Sequence, residues 1–169
     1  GAQVNNFRPP ELSDDYVGTN EVVSYEISEL IKLGRNVSSV CCIYATAPFV
    51  TGGDLERGYR ILAETKKSFA FSVTSFAFPV QRALVIDQND SISPMFPDWT
   101  NSRSQDLVDS YHDAGQFYWG TVKGFLSGKS MFSNDSAPVL LERKMVQDID
   151  TYEDWERAEA MFKSLRIRD

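Results

Sequence analysis

Apolar positions along this chain switch between two spacings, and each switch marks an element. From Asn20 to about Leu33, the residues Val23, Ile27, Leu30 and Ile31 recur at helical spacing and Gly34 follows as a stop. Val37 to Tyr44 is a run of β-branched and small apolar residues, which predicts a buried strand ending in the loop Ala45-Thr46-Ala47-Pro48-Phe49. Gly52, Gly53 and Asp54 lead into a second helix, with Leu55, Tyr59, Leu62 and Phe69 assigned to its sheet-facing side. Alternation then takes over in Phe69, Phe71, Val73, Phe76 and Phe78, the pattern of a strand running into a hairpin. Leu84 to Asp87 and Ile92 to Phe96 flank the turn-rich Gln88-Asn89-Asp90-Ser91, so they predict an exposed hairpin arm. Such an arm suits contact with a second subunit; an ordinary edge hairpin has the same sequence pattern. Further on, the spacing predicts a short helix over Ser104 to His112, a strand over Gly115 to Trp119, and a helix over Thr121 to Leu126. Strands over Val139 to Glu142 and Met145 to Asp150 complete the sheet. At the other end, Ala2 to Phe7 reads as a short strand, and Pro9 and Pro10 keep the following loop out of a helix. Strands alternating with amphipathic helices predict an α/β fold with a largely parallel sheet.

The segment Gln147-Asp148-Ile149-Asp150-Thr151 carries the densest chemistry. Read as a strand end, it points Asp148 and Asp150 the same way and turns Ile149 into the core. Two aligned carboxylates suit a hard divalent cation such as Mg²⁺ beside a phosphate. Thr151 then falls at an N-cap with Asp154 as its capping-box partner, ahead of an apolar stripe of Trp155, Ala158, Phe162 and Leu165. On spacing alone, stabilisation of the helix dipole accounts for these acidic residues equally well.

Composition narrows the classes. With 169 residues, 42% of them hydrophobic, the chain is long enough for one domain with a real core. A formal net charge of -7 argues against generic nucleic-acid binding, which wants a basic face. Cys41 and Cys42, the two cysteines, are adjacent inside an apolar run, so buried small hydrophobes are expected rather than a disulfide or metal pair. Without a disulfide framework a reducing cytoplasm is the default, and no apolar stretch or leader suggests a membrane. His112, the one histidine, leaves little for a histidine triad or zinc site.

Four segments taken together resemble the successive motifs of the acylneuraminate-type cytidylyltransferases. They are Arg8-Pro9-Pro10-Glu11-Leu12-Ser13-Asp14-Asp15, Tyr44-Ala45-Thr46-Ala47-Pro48-Phe49, Asp113-Ala114-Gly115-Gln116-Phe117-Tyr118-Trp119-Gly120 and Gln147-Asp148-Ile149-Asp150-Thr151. The run Asn101-Ser102-Arg103-Ser104-Gln105-Asp106-Leu107, followed by Tyr111-His112-Asp113, is most similar to the pseudaminic acid branch. The resemblance implies a three-layer Rossmann-like nucleotidyltransferase fold with a mainly parallel sheet, one domain over residues 1–169, and a protruding arm over 76–104 for dimerisation and sugar binding. It further implies transfer of a cytidylyl group from CTP to a nine-carbon 2-keto sugar acid, a homodimer, and a place in cell-surface glycan biosynthesis such as flagellin glycosylation.

Residue by residue, the same resemblance implies that Asp148 and Asp150 hold Mg²⁺ and serve the chemistry. Ser13, Asp14, Thr19 and Thr46 are implied to meet the nucleotide. Tyr44, Arg82, Arg103, Gln105, Tyr111 and Phe117 are implied to meet the sugar acid, one arginine pairing its carboxylate as guanidinium forks do. Tyr44 stands where the sialic acid branch carries a glutamine, which agrees with a different nonulosonic acid. Family members open with a strand and a Gly- and Lys/Arg-rich loop around the triphosphate, and the sequence from Gly1 enters the pattern after that unit. The chain by itself is therefore expected to be inactive. A cytidylyltransferase for sialic acid or a keto-deoxy-octulosonate is the second enzyme reading, and a noncatalytic sugar-acid-binding or dimerisation module the third.

Overall fold

The computed structural model describes residues 7–14 and 16–166, so the strand predicted at 2–7 lies, Phe7 apart, outside the described residues. Helix α1 (Thr19–Lys32) ends in a Gly34 turn at φ +75°, where Arg35 N–H reaches back to the Leu30 carbonyl. Strand β1 (Ser39–Ile43) follows, then α2 (Gly52–Thr65), opened by a reciprocal capping box between Thr51 and Asp54. Phe69, assigned from sequence to the α2 face, instead begins β2 (Phe69–Ser75), because the helix stops at a left-handed Lys66. Strands β3 (Leu84–Ile86) and β4 (Ile92–Pro94) form the expected antiparallel hairpin, with Leu84, Ile86 and Ile92 exposed.

Strand β5 (Tyr111–Thr121) is longer than its alternation suggested and absorbs the end of the helix expected at 104–112, of which one 3₁₀ turn remains. Helix α3 (Val122–Leu126), strand β6 (Ser136–Leu140) and helix α4 (Tyr152–Arg166) complete the described elements. The main sheet has the order β1-β5-β2-β6. Strands β1, β2 and β6 share one direction; β5 is inserted antiparallel between β1 and β2. The result is an α/β Rossmann-like architecture with a mixed sheet.

Period-2 side-chain alternation divides the core into two layers. Phe69, Phe71, Val73 and Tyr118 meet Val23 and Ile27 of α1 and Phe125 of α3 on one face. Ala70, Phe117 and Val139 meet Leu62 of α2 on the other. The same alternation separates the cysteines: Cys42 packs on the first layer and Cys41 on the second, and both are free thiols. Burial pushes the Cys41 thiol up to about 12, that of an inert small hydrophobe. Strand β1 is half-buried rather than buried, with Ile43 exposed, because it forms an edge of the described sheet.

Segment 145–150 does not add a strand. After β6 a 3₁₀ turn at Arg143–Met145 swings the chain away from the sheet, and the N–H groups of Ile149 and Thr151 bond to the carboxylates of Asp148 and Asp154 instead of to a strand backbone. Its strict two-face alternation is therefore lost.

Candidate active site

Parallel α/β sheets place ligands beyond the carboxyl ends of their strands. Here the ends of β1, β2 and β6, with the start of β5, surround an open cavity of about 940 Å³. Tyr44, Ser75, Asp113 and Asp148 line one part of it, and Arg143, Lys144 and Arg157 bring positive charge to the same space. Lys144 pairs with Glu142 at 2.6 Å, whereas Arg143 and Arg157 make no ion pair within 4 Å among the described residues.

The wall of the cavity is built by an irregularity in β5. Phe71 pairs with Tyr118 and Val73 with Asp113, so residues 114–117 stand opposite the single Ser72. Ser72 Oγ accepts the N–H groups of Gln116 and Phe117 and closes the gap. Inside this bulge Gly115 adopts φ +61°, its N–H donating to Asp113 Oδ1 at 3.0 Å. Tyr118 donates its hydroxyl to the other oxygen, Asp113 Oδ2, at 2.7 Å. Burial, reinforced by this bond to a carboxylate, holds the Tyr118 phenol far above its ordinary range. Tyr44 packs on Tyr118 with ring centroids 5.1 Å apart and shares a 2.5 Å hydrogen bond with Thr19 Oγ1. Thr19, Tyr44, Asp113 and Tyr118 also line a second cavity of about 400 Å³, so a continuous aromatic and polar wall separates two adjoining spaces.

Asp148 lies half-buried against Gly115, and a Cβ on that glycine would stand 2.6 Å from Asp148 Oδ2. Oδ1 accepts the Ile149 N–H at 3.1 Å; Oδ2 accepts no hydrogen bond among the described residues. A hard oxygen donor beside a cavity, packed against a glycine, suits Mg²⁺, which binds through one or two carboxylates plus substrate phosphates and waters. Asp150 is exposed, outside the cavity lining, and its N–H points toward Asp154 Oδ2 at 3.4 Å. No cluster of three or more His, Cys, Asp or Glu suited to a metal occurs among the described residues.

The other sequence-derived candidates fall into separate places. Thr19 and Tyr44 meet at the cavities. Ser13 and Asp14 are exposed in a loop they organise themselves, Ser13 Oγ bonding the Pro9 carbonyl and Asp14 Oδ1 accepting the Tyr16 and Val17 N–H groups. Thr46 is half-buried and lines neither cavity. At the arm, Arg82 donates to the Ser102 carbonyl, Arg103 pairs with Asp106 at 2.7 Å, and Gln105 is exposed; none of the three lines the large cavity. Tyr111 borders a hollow of about 160 Å³ at the base of the arm. Phe117 is 0% exposed in the α2-side core, so it cannot wall a pocket, and its neighbour Tyr118 on the opposite face does so instead. Arg143, Lys144 and Arg157 were missed from sequence. A signal existed, since the first two come within four residues of the β6 strand end at Leu140, where parallel sheets gather ligand contacts.

No protein-family model matches the chain. Over 163 residues it is 37% identical to the pseudaminic acid cytidylyltransferase of Campylobacter jejuni subsp. jejuni serotype O:2, covering 96% of this chain and 70% of that relative. Identity and coverage are the same for the pseudaminic acid cytidylyltransferase of serotype O:23/36. A Helicobacter pylori protein named pseudaminic acid cytidylyltransferase and UDP-2,4-diacetamido-2,4,6-trideoxy-beta-L-altropyranose hydrolase is 27% identical over 169 residues, which cover 99% of this chain and 32% of that protein.

Proposed function

Since the chain belongs to the pseudaminic acid cytidylyltransferase family, we propose that it carries the cytidylyl-transfer centre for pseudaminic acid. The anomeric hydroxyl oxygen of the sugar acid attacks the α-phosphorus of CTP and gives up its proton to solvent, the bond from that phosphorus to the α,β-bridging oxygen breaks, and pyrophosphate leaves. The carrying observation is the strand-end cavity that Asp148 lines together with Arg143, Lys144 and Arg157.

That pairing of charges matches the chemistry. Both substrates are anions, and cationic side chains in a shared cavity draw them together against their mutual repulsion. Asp148 and the neighbouring Asp150 are the residues we assign to Mg²⁺, which supplies neutralisation of phosphate oxygens when bound. Tyr44 and Tyr118 form the rigid wall against which the substrates are oriented, with Thr19 beside the smaller cavity on the nucleotide side. The exposed Leu84, Ile86 and Ile92 of the arm support a homodimer in which Arg82 or Arg103 reaches a partner's sugar site.

Assayed in the complete protein with CTP, Mg²⁺ and a panel of keto-sugar acids, the enzyme is expected to form CMP-pseudaminic acid and pyrophosphate, detected by mass spectrometry. Product with sialic acid or a keto-deoxy-octulosonate in place of pseudaminic acid would overturn the substrate. No nucleotide sugar with any acceptor would overturn the reaction.

A further inference from the structure

We propose that the β5 bulge is a built seat for the Asp148 carboxylate, with Gly115 and Asp113 as positioning residues that aim its free oxygen into the cavity. The inference rests on the reading of Asp148 as a metal ligand. Gly115 is constrained twice at one point. Its φ of +61° is a conformation that L side chains rarely adopt, and the three nearest atoms to a Cβ built there are Oδ2, Cγ and Cβ of Asp148, at 2.6, 3.2 and 3.7 Å. The close approach is therefore to that one side chain.

The surrounding bonds hold both partners of the contact. Asp113 Oδ1 takes the Gly115 N–H and fixes the turn, while Tyr118 pins Asp113 through Oδ2. One residue on, the fully buried Gln116 donates from Nε2 to the Ala114 carbonyl and, at 3.4 Å, to the Gln147 carbonyl, tying the segment that carries Asp148 back to the bulge. Asp148 Oδ1 is occupied by the Ile149 N–H, and Oδ2, pressed against the glycine, is the oxygen left free. Groups that orient a metal ligand without touching the metal typically change its affinity by about 10- to 100-fold when removed.

Mn²⁺ is the probe, its free concentration read by electron paramagnetic resonance in titrations of the full chain, with circular dichroism and thermal melting as checks of folding. Asp148→Asn is expected to abolish the high-affinity phase, and Gly115→Ala to weaken it about 10- to 100-fold with the secondary structure retained. Should Gly115→Ala fail to fold, the Asp113 pair decides. Asp113→Ala is expected to show the same loss, whereas Asp113→Asn, whose Oδ1 still accepts the Gly115 N–H, recovers most of the affinity. Loss in Asp148→Asn with unchanged Mn²⁺ affinity in the folded Gly115 or Asp113→Ala variants would overturn the seat while sparing the metal reading. Unchanged affinity in Asp148→Asn would overturn the metal reading and the seat with it.

Discussion

Tyr118 and Asp113, five residues apart on one strand, are joined side chain to side chain across the β5 bulge at 2.7 Å. In a regular strand, residues five apart point to opposite faces and lie too far apart to touch. The bulge removes both obstacles and lets the phenol bond a carboxylate at the cavity wall.

Removing that hydroxyl should be costly. In Tyr118→Phe, Asp113 keeps only the Gly115 N–H, and a lost bond to a charged group costs about 1.5–3 kcal/mol. Urea unfolding at neutral pH should show a loss of this order. The alkaline limb carries a second signature. Because the folded phenol is held above its ordinary value of 10.0, its stabilisation is intact below pH 10 and declines above it, as the unfolded chain ionises first. Tyr118→Phe should therefore lose less stability than the parent between pH 9.5 and 11 (roughly, from the phenol range); parallel alkaline limbs would refute the assignment.

Gly58 marks a second close approach, in the middle of α2. A Cβ there would meet Trp119 Cδ1 at 2.7 Å and Phe117 Cε2 at 2.9 Å, both parts of rigid rings in the core. Alanine gains about 1 kcal/mol of helix propensity over glycine, but overpacking a filled core costs about 1–3 kcal/mol. With two rings blocked, the clash should win. Gly58→Ala should lower the urea midpoint without changing the dependence on urea concentration, and a midpoint equal to or above the parent's would contradict the packing.

What sequence reveals here follows the range of the forces involved. Helix α1 with its Gly34 stop, the 84–96 hairpin and the Thr151–Asp154 cap were legible because each is fixed by residues within a few positions of one another. Phe117 was misplaced for a different reason. Alternation tells that Phe117 and Tyr118 face opposite ways, but which one faces the cavity depends on packing against α1 and α2. The strand expected at 145–150 failed because the 3₁₀ turn at Arg143–Met145 carries the chain away from the sheet, and the N–H groups of Ile149 and Thr151 bond the Asp148 and Asp154 carboxylates rather than a ladder. The Gly115–Asp148 contact joins positions 33 apart in the sequence, and no local pattern announces it.

The cap of α4 is reciprocal: Asp154 N–H donates to Thr151 Oγ1, and Thr151 N–H donates to Asp154 Oδ2. Asp154 Oδ1 also accepts from Gln147 Nε2, so the cap anchors the segment bearing Asp148. Thr151→Ala should cost about 1 kcal/mol in urea unfolding. The Thr151 hydroxyl, with the backbone N–H groups of Thr151 and Asp150, holds the Asp154 carboxyl below its ordinary 3.8. Its contribution is thus present above pH 3.8 and lost as pH falls through the folded value. Thr151→Ala should flatten that acid limb; an unaltered acid profile would exclude the cap as its source.

Arg143 and Arg157 bring charge to the cavity without an acidic partner of their own within 4 Å among the described residues, an arrangement that suits both guanidinium groups to an anion. Replacing either with alanine removes a charge-assisted contact, for which a loss of about 1.4 kcal/mol corresponds to a tenfold weaker complex. In the complete enzyme, Arg143→Ala and Arg157→Ala should each raise KM for an anionic substrate about tenfold, with a smaller change in kcat, as for interactions made equally in ground and transition states. Separate titrations of CTP and sugar acid identify which anion each arginine meets. Arg60→Ala, in α2 and outside the cavity lining, serves as the charge control. If both cavity variants match that control in KM for both substrates, neither arginine takes part in binding.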